Sequence, residues 1–504
     1  MTDNKKNNEE SKIRTAKFLR YFGIIMASIE IIAAIVFIGF LFWSSLIPLK
    51  YEIVAIIVML LLSALTMYLQ FTKVHWVGKV LACILTIVLI LGDVYIAQAK
   101  SAISSISGSD TKTDVISVYV LKEDSAETIE DARDYKFGYH ETLDQDNTQN
   151  TISKINESLG TDIKTETYTD LVEMVDALYN KDVDAIILNE SYVSSLDEAY
   201  PDFAEETKVI DQSSYQTLLK PRIDKNTLTD CFTIFLSGND ETGTLNKVGR
   251  SDVNILIVVN PKTRQILLVN TPRDYYVKVN SLTSGTGKDK LTHAGQFGVD
   301  ASMETLSGLY DDWDIDYFVR VNFTGVEGIV DALGGVKVNS EISFTTSSDT
   351  SAEEYTFVEG PNEVDGEKAL AFCRERHNVA GGDNQRGRNQ MAVISAIIDK
   401  VASPSILYNY SSVLDSVSSL FQTNLDDDDI ASMVKLTMDD PAGWNVQNYA
   451  VTGTNSNASS YFFGYSSMYV MEPDKKSVET AVELMNKVKN GETFNVDEYV
   501  NSDN

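Results

Sequence analysis

The chain has 504 residues, more than one hydrophobic core usually supports, so several domains are expected. Its 42 basic and 73 acidic residues give a formal net charge of -31, which argues against sequence-independent binding to nucleic acid, because that needs a cationic surface to release phosphate counterions. The three cysteines, Cys83, Cys231 and Cys373, have no CxxC spacing, which argues against a zinc site or a disulfide framework; Cys231 and Cys373 read as small core residues.

A polar leader, residues 1–20, carries Lys5, Lys6, Lys12, Arg14, Lys17 and Arg20. Three apolar runs follow within residues 21–100: Phe22 to Leu49, Ile53 to Phe71 and Val77 to Ala97. Each approaches or exceeds the roughly 20 residues that a helix needs to cross a bilayer. The first run is too long for a signal-peptide core and leads into another, so it is expected to be a retained anchor. The basic leader, together with Lys73, His75 and Lys79 between the second and third runs, places those segments in the cytoplasm. An odd number of spans then puts the rest of the chain outside the cell. Glu30 and Asp93 interrupt the apolar runs, where an ionisable group is costly.

Residues 101–113, SAISSISGSDTKT, read as a flexible spacer. Residues 114–220 predict a small accessory α/β domain, with strands at VISVYVL, Lys136 to Tyr139 and DAIILN and an amphipathic helix from Asp170 to Tyr179. No catalytic cluster stands out in it, so spacer, interaction module and polymer guide all remain open.

Residues 225–490 predict a larger α/β domain with its core at 231–401. Its strands are Cys231 to Leu236, VNILIVV, QILLVN and Tyr317 to Val321, and its helices Gly298 to Leu309, Gly325 to Leu333 and Gly366 to Arg376. A last helix is expected from Arg386 to about Val401, with Met391, Ile394, Ile397 and Ile398 as its apolar stripe and Asp383 and Asn384 as caps. This alternation predicts a central sheet covered on both faces. WNVQNYAV and SVETAVELMNKV complete the domain, and residues 491–504 read as a polar, frayed tail.

The commoner catalytic signatures fail. Gly287-Lys288 is followed by Asp289 where a phosphate-binding loop needs Ser or Thr, Val253 replaces the last glycine of an esterase motif at Ser251, and four histidines lack HExxH spacing. What remains is CRERHNVAGGDNQRGRNQ, from Cys373 to Gln390. Arg374 and Arg376 alternate, Gly381-Gly382 forces a turn, and Arg386 and Gln390 share one helical face. Guanidinium forks match phosphate oxygens and stay charged, so the cluster suits an anion better than proton transfer. Asp240 follows the first strand of the domain and Asp252 precedes the second; together such carboxylates can hold Mg²⁺ or another divalent cation. Arg273 follows the third strand, at the sheet end where open α/β folds bind ligands.

In this order, SGND at Asp240, RSDVNILIVV at Asp252, LLVNTPRDYYV at Arg273, KLTHAG at Lys290, VDALGGVKV at Val330 and the arginine cluster resemble the LytR-CpsA-Psr family of cell-wall ligases. The resemblance spans about Cys231 to Val401, and three anchor spans with an accessory domain look like its capsule-type members. It implies transfer of a glycan phosphate, capsular or teichoic-acid-like, from a polyprenyl-pyrophosphate carrier to peptidoglycan. By analogy Asp240 and Asp252 hold Mg²⁺ on the pyrophosphate, Arg273, Arg374, Arg376, Arg386 and Gln390 bind its oxygens, and Asp383 orients the arginines. His377 and Asp383 are the candidates for a general base. The polyprenyl tail needs an apolar cleft, for instance between the sheet and the helix from Gly298. Hydrolysis of the lipid pyrophosphate and a non-enzymatic membrane sensor are the competing readings.

Overall fold

Runs of leucine, isoleucine and valine fold as helices α1 (Thr2–Ser44), α2 (Leu49–Leu69) and α3 (His75–Ile106). The structure is a computed structural model that describes residues 2–106, 111–196, 199–219, 225–239, 248–281, 284–401, 413, 416–417, 420–439 and 443–500. Lys17–Ser44, Leu49–Leu69 and His75–Ser104 are long and apolar enough to cross a membrane. Glu30 is buried among these helices, where its carboxylate accepts hydrogen bonds from Ser63 Oγ and Thr66 Oγ1, both at 2.7 Å. A carboxylate that would be costly in hydrocarbon thereby ties α1 to α2. A helix from Asp427 to Asp439 belongs to the same compact unit, and Lys100 Nζ lies 3.5 Å from Asp427 Oδ2.

The expected spacer is largely ordered. Ala102 and Ile103 are buried, so α3 continues through the serine-rich stretch to Ile106. Residues 107–110 lie outside the described residues, and Thr111 to Thr113 already pair with Gln216 to Leu218 in a sheet.

That sheet contains β1 (Thr111–Leu121), β2 (Lys136–His140), β3 (Lys164–Tyr168), β4 (Ala185–Asn189) and β5 (Thr207–Leu218), in the order β3-β2-β4-β1-β5. Helices α4 (Gln145–Leu159) and α5 (Leu171–Tyr179) join its strands. The Asp170 side chain caps α5 by accepting from the amides of Val172 and Glu173. The patterning did not reveal α4, β3 and β5. KTETY in β3 carries no apolar alternation, and β5 buries only Thr207 and Ile210 of its twelve residues.

The larger domain is built on β6 (Phe232–Asn239), β7 (Val253–Asn260), β8 (Gln265–Asn270), the hairpin β9 (Tyr276–Ser281) and β10 (Gly285–Lys290), and β11 (Tyr317–Asn322). Small hairpins follow, β12 (Val336–Ser340) with β15 (Gly360–Val364) around β13 (Phe344–Thr345) and β14 (Thr356–Phe357). The last strands are β16 (Phe421–Thr423), β17 (Asn445–Ala450), β18 (Gly453–Ala458) and β19 (Met468–Pro473). The central sheet has the order β16-β11-β6-β7-β8-β17, with β6 parallel to β11 and antiparallel to β7.

The helices are α6 (Val299–Leu309), α7 (Phe323–Ala332), α8 (Gly366–Arg374), α9 (Gly382–Val401) and α10 (Lys475–Asn490). Phe235, Leu256, Val258, Leu267 and Val269 form one sheet face and share a core with Ala301 and Leu306 of α6 and with Val478, Ala481 and Leu484 of α10. The alternate residues Ile234, Leu236, Ile255 and Leu268 are buried too, and α9 packs on β8 and β17. Burial of both residue sets is what a sheet covered on both faces requires.

Two expectations are corrected. Helix α9 begins at Gly382, so Asp383 and Asn384 lie in its first turn and do not precede it. Gly381 and Gly382, at φ 93 and 52, make the turn that allows this early start. The tail after Glu492 is docked through Tyr499: the Val496 amide donates to Gln447 Oε1, Gln447 Nε2 donates to the Phe494 carbonyl, and the Tyr499 hydroxyl donates to Glu483 Oε1. Residues 501–504 lie outside the described residues.

Candidate functional site

One end of the central sheet gathers the C-termini of β6, β8 and β11 and the N-terminus of β7, and every described candidate residue issues from these ends or from α8 and α9 beside them. Asp252 stands one residue before β7, and its amide donates to the Gly238 carbonyl at 2.7 Å. Arg273 follows β8 after Thr271-Pro272, and its Nη1 is 2.9 Å from Asp252 Oδ1. Thr292 Oγ1 donates to the same oxygen at 3.1 Å.

Arg386 is brought in by close packing. At Gly387 a side chain would collide with the Asn270 carboxamide at the end of β8, so glycine lets α9 lie against the strand that carries Arg273 without displacing that carboxamide. Asp383 then joins the two arginines: its Oδ1 is 2.6 Å from Arg386 Nη2 and 3.9 Å from Arg273 Nε. Asp274 lies 3.8 Å from Arg273 Nε and 3.5 Å from Lys290 Nζ.

The remaining arginines sit on the rim. Arg374, exposed, stacks its guanidinium 4.6 Å from the centroid of Phe323, the first residue of α7 after β11. Arg376 is exposed, close enough to Arg386 for their charges to repel. Between them Glu375 is fully buried and accepts from the amides of Ser347, His377 and Asn378, which anchors the turn that presents both arginines outward. Gln390 is buried, and its amide donates to the Cys373 carbonyl at 3.4 Å, tying α9 to α8. Asp240 lies outside the described residues.

Thr292, Asp274, Lys290 and Glu375 had no assigned role in the sequence. Lys290 and Thr292 lie inside the quoted KLTHAG string, and the other two adjoin predicted arginines, so adjacency was the only available signal.

Burial opposes ionisation of Asp252, but Arg273, Arg386 and Arg250 outweigh it and hold the carboxyl below its usual range. For Arg273 burial again opposes charge, and Asp252, Asp274 and Asp383 more than compensate, raising its pKa. Arg386 goes the other way: burial, with Arg273 and Arg376, lowers its pKa against the pull of Asp383 and Asp252. Six cationic side chains (Arg250, Arg273, Arg374, Arg376, Arg386, Lys290) thus gather at this sheet end with four carboxylates (Asp252, Asp274, Glu375, Asp383), a positive surplus on a chain of net charge -31. Such a site can hold an anion of about two charges and draw it from a distance.

Among the described residues no group of three or more His, Cys, Asp or Glu is placed to hold a metal. Asp252 Oδ2 is nevertheless buried without a hydrogen-bond partner, an orphaned hard oxygen beside the anion site that fits a divalent cation.

Residues 190–480 match the LytR_cpsA_psr family. Among curated relatives, the polyisoprenyl-teichoic acid–peptidoglycan teichoic acid transferase TagU of Enterococcus faecalis is 37% identical over 212 residues, 41% of this chain and 65% of that protein. TagU of Bacillus cereus is 38% identical over 204 residues, 40% of this chain and 63% of that protein. The chain thus spans a little under two thirds of the length of these relatives. The crystal structure of B. subtilis TagV aligns over 53% of this chain and 99% of its own, at 25% identity and a TM-score of 0.43.

Proposed function

Since the chain belongs to the LytR_cpsA_psr family, we propose that it is a membrane-anchored phosphotransferase that moves a glycan phosphate from a polyprenyl-pyrophosphate carrier to a hydroxyl of peptidoglycan. The observation that carries this reading is the convergence of Arg273 and Arg386 on Asp383, with Asp252 held against Arg273 at one sheet end. The acceptor hydroxyl oxygen bonds to the sugar-bearing phosphorus, the bond from that phosphorus to the carrier phosphate breaks, and the hydroxyl proton leaves to the departing phosphate or to solvent. Negative charge grows on the departing phosphate, and fixed guanidiniums stabilise it without having to reorganise. Arg273 and Arg386 serve the buried side of the pyrophosphate, Arg374 and Arg376 its exposed side, and Gln390 holds the helix that carries Arg386.

Asp252, with Asp240, would hold Mg²⁺ or another divalent cation. When bound, the cation polarises the phosphoryl oxygens. Asp383, committed to Arg386, serves as the orienting residue and not as a base. The basic leader and the segment that carries Lys73, with His75 and Lys79 in the first turns of α3, are read as cytoplasmic, so the catalytic region lies outside, where a carrier lipid presents its pyrophosphate at the membrane face. The capsule-type domain layout favours a surface polysaccharide as the polymer.

The test is transfer from labelled carrier-linked glycan with and without peptidoglycan. Formation of a glycan–peptidoglycan phosphodiester is expected, and EDTA should stop it until Mg²⁺ is restored. Phosphate release without transfer would make the protein a hydrolase. If Asp252→Ala leaves glycan attachment intact, the catalytic reading fails and a sensor remains.

A further inference from the structure

A cavity of about 520 Å³ opens between the accessory and catalytic domains, away from the arginines. The accessory domain contributes His140, Thr142 and Gln145, and the catalytic domain contributes Ser284, Tyr461 and Phe462. None of its nine lining residues is Asp, Glu, Lys or Arg, although charged residues make up 23% of the chain. The volume lies in the range of small-ligand sites, and an uncharged polar lining selects against an anion.

Two features make this more than a gap. Tyr461 is 58% exposed, yet its ring rests on Gly287 of β10, where a side chain would overlap it, so an open aromatic face is held on a rigid hairpin. His140 is 6% exposed; its Nδ1 accepts from the amides of Thr142 and Leu143, which leaves the ring hydrogen on Nε2. Nε2 is buried and turned to the Thr169 backbone, so His140 serves as a fixed wall of the cavity. Burial lowers the His140 pKa and keeps the ring neutral, against the opposing pull of the Thr169 backbone, Asp170 and Glu141. An aromatic platform, hydroxyls and an amide, with no charged side chain in the lining, together form the chemistry that binds sugar rings.

The cavity is mechanically joined to the reaction site. The hairpin register runs from Gly285 opposite Ser281 to Lys290 opposite Tyr276, so the cavity edge lies about 17 Å along a strand from Lys290. Asp289 accepts from Ser460 Oγ at 2.6 Å and from the Phe462 amide at 3.1 Å, which fastens the aromatic loop to the strand end that leads into Thr292 and its bond to Asp252.

We propose that this cavity is a subsite for an uncharged saccharide unit of the transferred polymer, several sugars from the reacting phosphate, so that the accessory domain guides the glycan. The proposal rests on the glycan-transfer reading above, and its test separates the two.

The full-length chain in detergent is titrated by calorimetry with neutral oligosaccharide from the producing cell's surface polysaccharide, freed of phosphate by hydrofluoric acid. It is also assayed with carrier-linked donors of one repeat and of many repeats. Tyr461→Ala is expected to weaken oligosaccharide binding about fivefold and to lower the long-to-short donor ratio of kcat/KM by a similar factor. Gln145→Ala, on the accessory wall, should repeat the effect and so rule out a local defect in the aromatic loop. Arg376→Ala should abolish transfer while oligosaccharide binding persists. The subsite is overturned if wild type does not bind, if Tyr461→Ala binds equally well, if both donors suffer alike, or if only the KM for peptidoglycan changes. If wild type binds oligosaccharide but transfers neither donor, the ligase reading falls and the subsite stands.

Discussion

Arg386 shows why the site is built from arginine and not simply from positive charge. Burial lowers its pKa, with Arg273 and Arg376 adding to the effect, yet a guanidinium starts so high that it remains charged. A lysine there would lose the fork that reaches Asp383 at 2.6 Å and, starting about two pKa units lower, would have less margin against the same burial. Arg386→Lys is therefore expected to cut kcat/KM about 10²-fold near pH 8, with melting temperature little changed. Because the same environment works against a charge, the deficit of the lysine variant should narrow, if it changes at all, as pH falls. A pH profile of the variant divided by that of wild type measures this, and a flat ratio would show that fork geometry alone matters.

At the scale of elements, the position of Arg386 depends on the contact between Gly387 and Asn270. Gly387→Ala is expected to cost about 2 kcal/mol by overpacking and to lower transfer further by displacing α9. Asn270→Ala alone should also cost stability, but in the double variant the clash is absent, so the two costs should sum to more than the double variant shows. Urea unfolding of the four proteins gives the coupling; simple additivity would mean that α9 adjusts freely. The same contact explains what could be read from the sequence. Asp252 and Arg273 were legible because strand ends point ligand-binding residues to one side of a sheet, and Arg386 and Gln390 because helical spacing aligns them. That α9 presses on β8 through a glycine, or that Gln390 turns toward the Cys373 carbonyl, depends on tertiary packing to which periodicity is blind. The early start of α9 was missed because Gly381-Gly382 reads as a loop, and the extension of α3 because serine-rich composition looks like a spacer when the burial of Ile103 is unseen.

At the scale of the whole molecule, Asp289 closes a long loop of chain. It is fully buried, 2.6 Å from His293 Nδ1 on the turn that carries Thr292, and it accepts two bonds from the loop 171 and 173 residues later. Burial works to raise its pKa, but His293, Ser460 and the Phe462 amide outweigh it and hold the carboxyl below its usual range. A depressed carboxyl pKa means that the unfolded chain binds its proton first. Its contribution is therefore complete above the unfolded pKa of about 3.9 and is lost as pH falls through the lower folded value. Asp289→Asn should destabilise the chain by about 2 kcal/mol at pH 7, because an amide has one oxygen where the carboxylate uses two to accept from His293, Ser460 and the Phe462 amide. It should also flatten the acid limb of stability below pH 4, which melting temperatures between pH 3 and 7 would reveal. Transfer measured well below the variant's melting temperature should fall too, because His293 and Thr292 share one helical turn and Thr292 bonds to Asp252. A variant that is unstable but fully active would separate the latch from the reaction site and leave it a purely structural tie between the aromatic loop and the sheet.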